Sequence, residues 1–165
     1  MHEVVIVVAK YFILLSALIA LLVWFRLSLP EKKRFIFIAV LAAISSLLLA
    51  KIGSKLYTDP RPFVVGHFTP YFAHGADNGF PSDHTLLASF LAFTTWRFSR
   101  KAGIILLVIA ILIGLSRVIA GVHHLVDVAG SIVFAFIGVW LADFIVDRFY
   151  KPQLAYGKQA REPEA

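Results

Sequence analysis

Cysteine does not occur anywhere in the 165 residues, so neither a disulfide framework nor a thiolate metal site is available to this chain. Charge is scarce as well. Asp, Glu, Lys and Arg make up 16% of the residues and hydrophobic side chains 59%, whereas soluble domains carry about a quarter charged. No internal repeat, low-complexity tract or second domain interrupts the sequence, and one domain is expected at this length. The net charge of +6 raises nucleic acid as a partner. Basic residues confined to the ends of apolar segments signal membrane topology instead, and no nucleic acid is expected.

Five apolar stretches are long enough to be read as spans, near Val4–Phe25, Phe35–Ile52, Thr85–Phe98, Gly103–Ala120 and Leu125–Val146. The third is the shortest and carries Ser89, Thr94 and Thr95, whose hydroxyls can bond within a helix bundle. The expected fold is all-α, a polytopic transmembrane bundle of about five spans forming one unit over residues 1–152, with a polar cytoplasmic tail over 153–165. No small-residue cleavage site follows the first stretch. The run Arg-Leu-Ser-Leu-Pro-Glu-Lys-Lys-Arg after it reads as a cytoplasmic turn rather than the end of a signal peptide.

Eleven of the sixteen basic residues fall on one face. They are Arg26, Lys32, Lys33 and Arg34 after the first stretch, Arg97, Arg100 and Lys101 after the third, and Arg148, Lys151, Lys158 and Arg161 at the end. The bias puts this face and the C-terminus in the cytoplasm and the N-terminus outside, with solvation and anchoring as the whole role of these eleven.

Three polar clusters gather on the opposite, extracytoplasmic face. In the first, Lys55-Leu-Tyr-Thr-Asp-Pro-Arg61-Pro62, arginine offers a planar fork of donors suited to phosphate and lysine a mobile point charge. Interfacial snorkelling is the plainer explanation of both. In the second, Phe80-Pro81-Ser82-Asp83-His84, Ser82 sits where an N-cap belongs and a helix start can hold an anion, while His84 can give a proton to a leaving oxygen. Simple capping by Ser82 and Asp83 is the alternative. In the third, Ser116-Arg117 is followed by His123-His124 and Asp127. His123 and Asp127, four apart, are expected on one helix face, where the carboxylate would hold Nδ1–H and leave Nε2 as a nucleophile. His124, three from Asp127, is the rival, and Arg117 could serve only as a cation at a helix C-terminus.

These clusters resemble the signature of the type-2 phosphatidic acid phosphatase superfamily: Lys-x6-Arg-Pro, Pro-Ser-Gly-His and Ser-Arg-x5-His-x3-Asp. The third matches at Ser116, Arg117, His123 and Asp127. The second matches at Pro81, Ser82 and His84, with Asp83 in place of glycine. In the first, five residues rather than six separate Lys55 from Arg61. Pro-Ser-Asp-His, the preceding Asp77-Asn78-Gly79-Phe80 and the small size resemble the bacterial undecaprenyl diphosphate phosphatases of the bacitracin-resistance type. Such families often have six spans, and the one missing from the count of five is expected ahead of the motifs.

The resemblance implies a membrane lipid phosphatase with an extracytoplasmic active-site loop. Lys55, Arg61, Ser82, Asp83 and Arg117 would form the phosphate site. His123 would attack to give a phosphohistidine, Asp127 would orient it, and His84 would protonate the leaving lipid phosphate. An isoprenyl lipid diphosphate in the cytoplasmic membrane is the implied partner, with no cofactor and no metal. His67, His74, Asp77, His123, His124 and Asp127 share this face and could attract a divalent ion, but the cations beside them disfavour one. The loop from Phe63 to Phe80 is either a segment dipping aromatics into the interface or a cap over the bundle. Three other functions remain: hydrolysis of glycerophospholipid monophosphates, phosphate transfer to lipid A, and proton or phosphate transport. Transporters usually place polar groups mid-span in two repeated halves, and neither feature is visible.

Overall fold

The computed structural model describes residues 2–149. The polar tail, with Lys151, Lys158 and Arg161 and the boundary expected at 152, lies outside the described residues. The described chain forms six helices: α1 His2–Arg26, α2 Leu29–Leu56, α3 Pro62–Val65, α4 Asp83–Trp96, α5 Arg100–Ile119 and α6 Leu125–Phe149. Among the described residues the only extended pairing is an isolated antiparallel bridge between Pro60 and Asn78, so the architecture is all-α.

Four of these helices, α1, α2, α5 and α6, are long and apolar enough to cross a bilayer, which makes this a multi-pass membrane protein. Their outer faces are apolar. On α1 only Ala9, Ser16 and Ala20 are buried, while Val4, Leu14, Leu18 and Phe25 are exposed, the surface a hydrocarbon solvent accepts and water does not. The third expected span forms α4, but its 14 residues reach about 21 Å at 1.5 Å per residue, against about 30 Å of hydrocarbon. It compensates by position, packing against α1, α2, α5 and α6.

The hydroxyls of α4 do less than expected. Thr85 Oγ1 donates to Ser82 Oγ at 3.1 Å, but among the described residues Ser89, Thr94 and Thr95 offer buried hydroxyls with no hydrogen-bond partner. Their small volume matters more, because it lets neighbouring helices close in. The same device joins α2 to α6. Ser45 Oγ donates to the Gly138 carbonyl at 3.0 Å, and a Cβ on Gly138 would stand 2.8 Å from the Ser46 backbone nitrogen.

The expected cytoplasmic turn after α1 is shorter than its sequence suggested, because α2 begins at Leu29. Ser28 caps it, and the Glu31 carboxylate reaches back to the Ser28 N–H at 2.9 Å and its hydroxyl at 2.6 Å, with Pro30 in the first turn. Lys32, Lys33 and Arg34 are therefore helical. Two of the anchoring cations are also ion-paired: Asp143 of α6 receives Arg97 at 2.7 Å and Arg34 at 3.4 Å, and Arg34 also binds Asp147. This network ties α2, α6 and the end of α4 together at the end of the bundle opposite the motif segments.

Candidate active site

The end of α2, the start of α4, the end of α5 and the start of α6 meet at one end of the bundle, covered by residues 57–82. Asn78 pins the two ends of that cover. Its Oδ1 accepts from the backbone N–H groups of Asp59 (2.8 Å) and Phe80 (3.1 Å), and its Nδ2 donates to the carbonyls of Ser54 (2.9 Å) and Tyr57 (3.1 Å). Further along, Phe63 N–H bonds Gly121 O at 3.2 Å and Tyr71 N–H bonds Ala120 O at 3.1 Å. Gly121, at φ 78°, lies against the Phe68 ring, where a Cβ would fit neither the backbone nor the space. The loop therefore folds as a cap over the α5–α6 turn, with Phe63, Tyr71 and Phe72 partly buried in it.

Five of the expected site residues are nearly inaccessible: Arg61 is 5% exposed, Arg117 3%, His123 2%, and Ser82 and Asp127 0%. His123 and Asp127 do meet, with Nδ1 and Oδ2 3.1 Å apart, but not by sharing a helix face. Helix α6 starts at Leu125, so both histidines precede it. His124 occupies the capping position, with its carbonyl accepting from Asp127 N–H at 3.2 Å. The Asp127 carboxylate folds back, like the third residue of a capping box, onto His124 N–H at 2.9 Å and onto the His123 ring.

The tautomer of His123 follows from its partners. Arg61 Nη1 lies 3.3 Å from His123 Nε2, and a guanidinium only donates, so Nε2 accepts and the ring proton sits on Nδ1 facing Asp127. Burial holds the His123 pKa below the usual histidine value; the Asp127 hydrogen bond opposes this, while Arg117 and Arg61 reinforce it. The ring is thus kept neutral, with a lone pair aimed at a guanidinium.

Arg61 also donates to Val122 O at 2.9 Å, Asn78 O at 3.4 Å and Asp77 Oδ1 at 3.0 Å. Its hydrogen bond, and after it its charge, hold the Asp77 carboxyl below the ordinary range, although the Asp77 side chain is 73% exposed. Arg117 Nη2 donates to His74 Nε2 at 2.9 Å, and its guanidinium stands over the Phe72 ring at 5.7 Å. Its Nε is buried with no partner among the described residues. An orphaned donor on a buried cation suits an anion.

Ser82 is the N-cap of α4, yet its hydroxyl is fully buried and accepts from Thr85 rather than from a backbone amide. The first bond of that helix runs from Leu86 N–H to Ser82 O at 2.9 Å, leaving the amides of residues 83–85 before it. His84 is partly buried, close enough to Arg117, His123 and His74 to feel their charge, and its ring has no hydrogen bond to a described residue. Asp83 is exposed at the mouth of an apolar groove between α2 and α4, lined by Ala43, Leu47, Leu87 and Phe90. Lys55, on the last turn of α2, is also exposed and makes no hydrogen bond or ion pair with a described residue. The structure does not bring it to the arginines.

Three residues were not assigned these contacts from sequence. His74, considered there as a metal ligand, and Asp77, considered as a metal ligand and as part of the run before Pro81, are the loop partners of Arg117 and Arg61. Asp59 binds His124 Nδ1 through Oδ2 at 2.9 Å. Its only sequence signal is its place two residues before Arg61. Asp59, His124 and Asp127 each offer a metal-type donor, all within 4.8 Å of one another, and no other such trio is found among the described residues.

A model of the PAP2 superfamily matches residues 34–150. The undecaprenyl-diphosphatase BcrC of Bacillus subtilis (strain 168) is 33% identical over 137 residues, covering 83% of this chain and 70% of that protein. The bacitracin transport permease protein BcrC of Bacillus licheniformis is 35% identical over 146 residues, covering 88% and 70%. Among solved structures, the first transmembrane PAP2-type phosphatidylglycerolphosphate phosphatase from Bacillus subtilis superposes with a TM-score of 0.61 at 24% identity, covering 91% of this chain and 78% of that one. That likeness concerns the fold.

Proposed function

The chain belongs to the PAP2 superfamily, and from that premise we propose that this membrane phosphatase removes the terminal phosphate of an isoprenyl lipid diphosphate, undecaprenyl diphosphate in a bacterial cytoplasmic membrane, through a phosphohistidine at His123. The observation that carries this reading is the pair of contacts on one ring: Nδ1–H held by Asp127 and the Nε2 lone pair facing the Arg61 guanidinium, beside an Arg117 whose Nε has no partner.

The terminal phosphoryl group takes Asp77's place on Arg61 and binds Arg117 and the free amides at the start of α4. His123 Nε2 attacks phosphorus as the bond to the bridging oxygen breaks. The isoprenyl monophosphate leaves, with His84 supplying its proton. Asp127 balances the positive charge on the phosphorylated ring until water, giving a proton to the now unprotonated His84, attacks phosphorus and the P–N bond breaks, releasing phosphate and restoring both histidines. Arginine charge stabilises the transferring group throughout. A diphosphate suits this site because its leaving group is a phosphate, whereas a monophosphate must expel an alkoxide and demands more of the acid. An extracytoplasmic site is supported by the basic residues of the sequence turns at the other end, Arg34 and Arg97 among them.

Phosphate release by the detergent-solubilised protein tests the reading and separates it from transport, which requires a sealed membrane. Catalytic efficiency on isoprenyl diphosphates should exceed that on phosphatidic acid or phosphatidylglycerophosphate by about tenfold or more, with no lipid A required. A water-soluble short-chain diphosphate added to intact cells should be hydrolysed without permeabilisation. Equal or better efficiency on the monophosphates would overturn the substrate assignment, and activity seen only after permeabilisation would overturn the orientation.

A further inference from the structure

The carboxylate behind the nucleophile is only half satisfied. Asp127 Oδ2 receives the His123 ring at 3.1 Å and His124 N–H at 2.9 Å, but Oδ1 is buried with no hydrogen-bond partner among the described residues. A buried carboxylate oxygen left without a proton partner is costly. The neighbouring carboxyl is that of Asp59, which brings an oxygen within 4.8 Å of one of Asp127. Two ionised carboxylates at this separation would repel one another, and a single proton between them removes both problems at once.

We propose that Asp59 is a positioning residue for the nucleophile, holding a proton that it donates to Asp127 Oδ1. With His124 Nδ1–H donating to Asp59 Oδ2 at 2.9 Å, the other Asp59 oxygen carries that proton. The backbone aims the side chain: Asp59 N–H donates to Asn78 Oδ1, and Gly79 N–H donates to Asp59 O at 2.8 Å. Gly79 is what lets this strand lie so near, since a Cβ there would stand 3.1 Å from Asp127 Oδ2. The titratable groups facing Asp59 are Asp127 and His124. Burial first, and then the charge of Asp127, push its pKa up, with His124 opposing. Arg61 turns away, to Asp77, Val122 and His123. Asp127 thereby stays singly charged and anchored through both oxygens, so the His123 ring keeps its aim and its phosphorylated form keeps a counter-charge.

The same three residues could attract a divalent cation. The proton accounts better for them, because Asp127 Oδ2 already has two donors and because Arg61 and Arg117 lie just beyond His123. The inference rests on His123 being the nucleophile, but its first readout does not depend on activity. The infrared spectrum of the protein labelled with carbon-13 aspartate should show a protonated carboxyl stretch at neutral pH that titrates away at higher pH and is missing in Asp59→Asn. In turnover, Asp59→Ala should lower kcat about tenfold or more with little change in KM, as an orphaned buried acceptor predicts. Asp59→Asn keeps a donor for Oδ1 and an acceptor for His124, so it should recover most of that loss. It should also remove the fall of kcat at high pH that loss of the Asp59 proton causes in the native protein. The proposal is overturned if the native protein has no protonated carboxyl at neutral pH or if Asp59→Asn is as impaired as Asp59→Ala. A rate lost to chelators and restored by manganese would overturn it in favour of a metal. Full activity in His123→Ala would remove the nucleophile reading, while the infrared band would still decide where the proton sits.

Discussion

At His123 the two ring nitrogens have opposite partners, and this sets how the reaction should respond to acid. Nε2 must be unprotonated to attack, and burial with two nearby arginines keeps it so below the usual histidine range. As pH falls through that depressed value, Nε2 gains a proton and the nucleophile is lost. The acid limb of kcat/KM should therefore lie below about pH 6.5, the unperturbed histidine value. A pH–rate profile measured with saturating detergent checks this, and a limb at or above that value would show that the buried arginines do not act on the nucleophile. The spacing of His123 and Asp127 was legible in the sequence, but for a different reason from the one realised. Periodicity places them on a helix face, whereas the capping box puts one before the helix and folds the other back to it. Lys55 shows the limit of motif matching: one residue fewer before Arg61 leaves it on the outer side of α2. The contacts of Asp59, His74 and Asp77 were invisible because they depend on how a long cap folds, and no local pattern encodes that.

Among the helices, hydropathy located α1, α2, α5 and α6, which present apolar surface to lipid, and also the shorter α4, whose apolar residues pack against them. It missed how α4 survives with only 14 residues, because enclosure by four other helices is a tertiary property. The α2–α6 seam depends on a backbone approach that only a missing side chain allows. Gly138→Ala would bring a methyl group to 2.8 Å from the Ser46 backbone nitrogen and 3.0 Å from its Cα. The variant should lose about 1–3 kcal/mol through overpacking, visible as a lower Tm in detergent. Adding Ser46→Gly should not restore the loss, because the backbone atoms remain. An unchanged Tm would mean that the two helices separate without cost.

The molecule as a whole delivers pieces from four helices and one cap to a single end, while the other end is tied by Arg34, Arg97, Asp143 and Asp147. This one-ended arrangement differs from a polar path through the bilayer, and under the proposed mechanism residues from Asp59 to Asp127 act around one phosphoryl group. The central claim is that this group passes through His123. The most direct measurement is rapid quenching of the solubilised protein with isoprenyl diphosphate labelled in its terminal phosphate, followed by mass spectrometric mapping of the trapped label. The account predicts an acid-labile, base-stable phosphoryl group on His123 that forms as fast as turnover requires and is absent in His123→Ala. Label on His124 or His84, or turnover with no covalent intermediate, would contradict it.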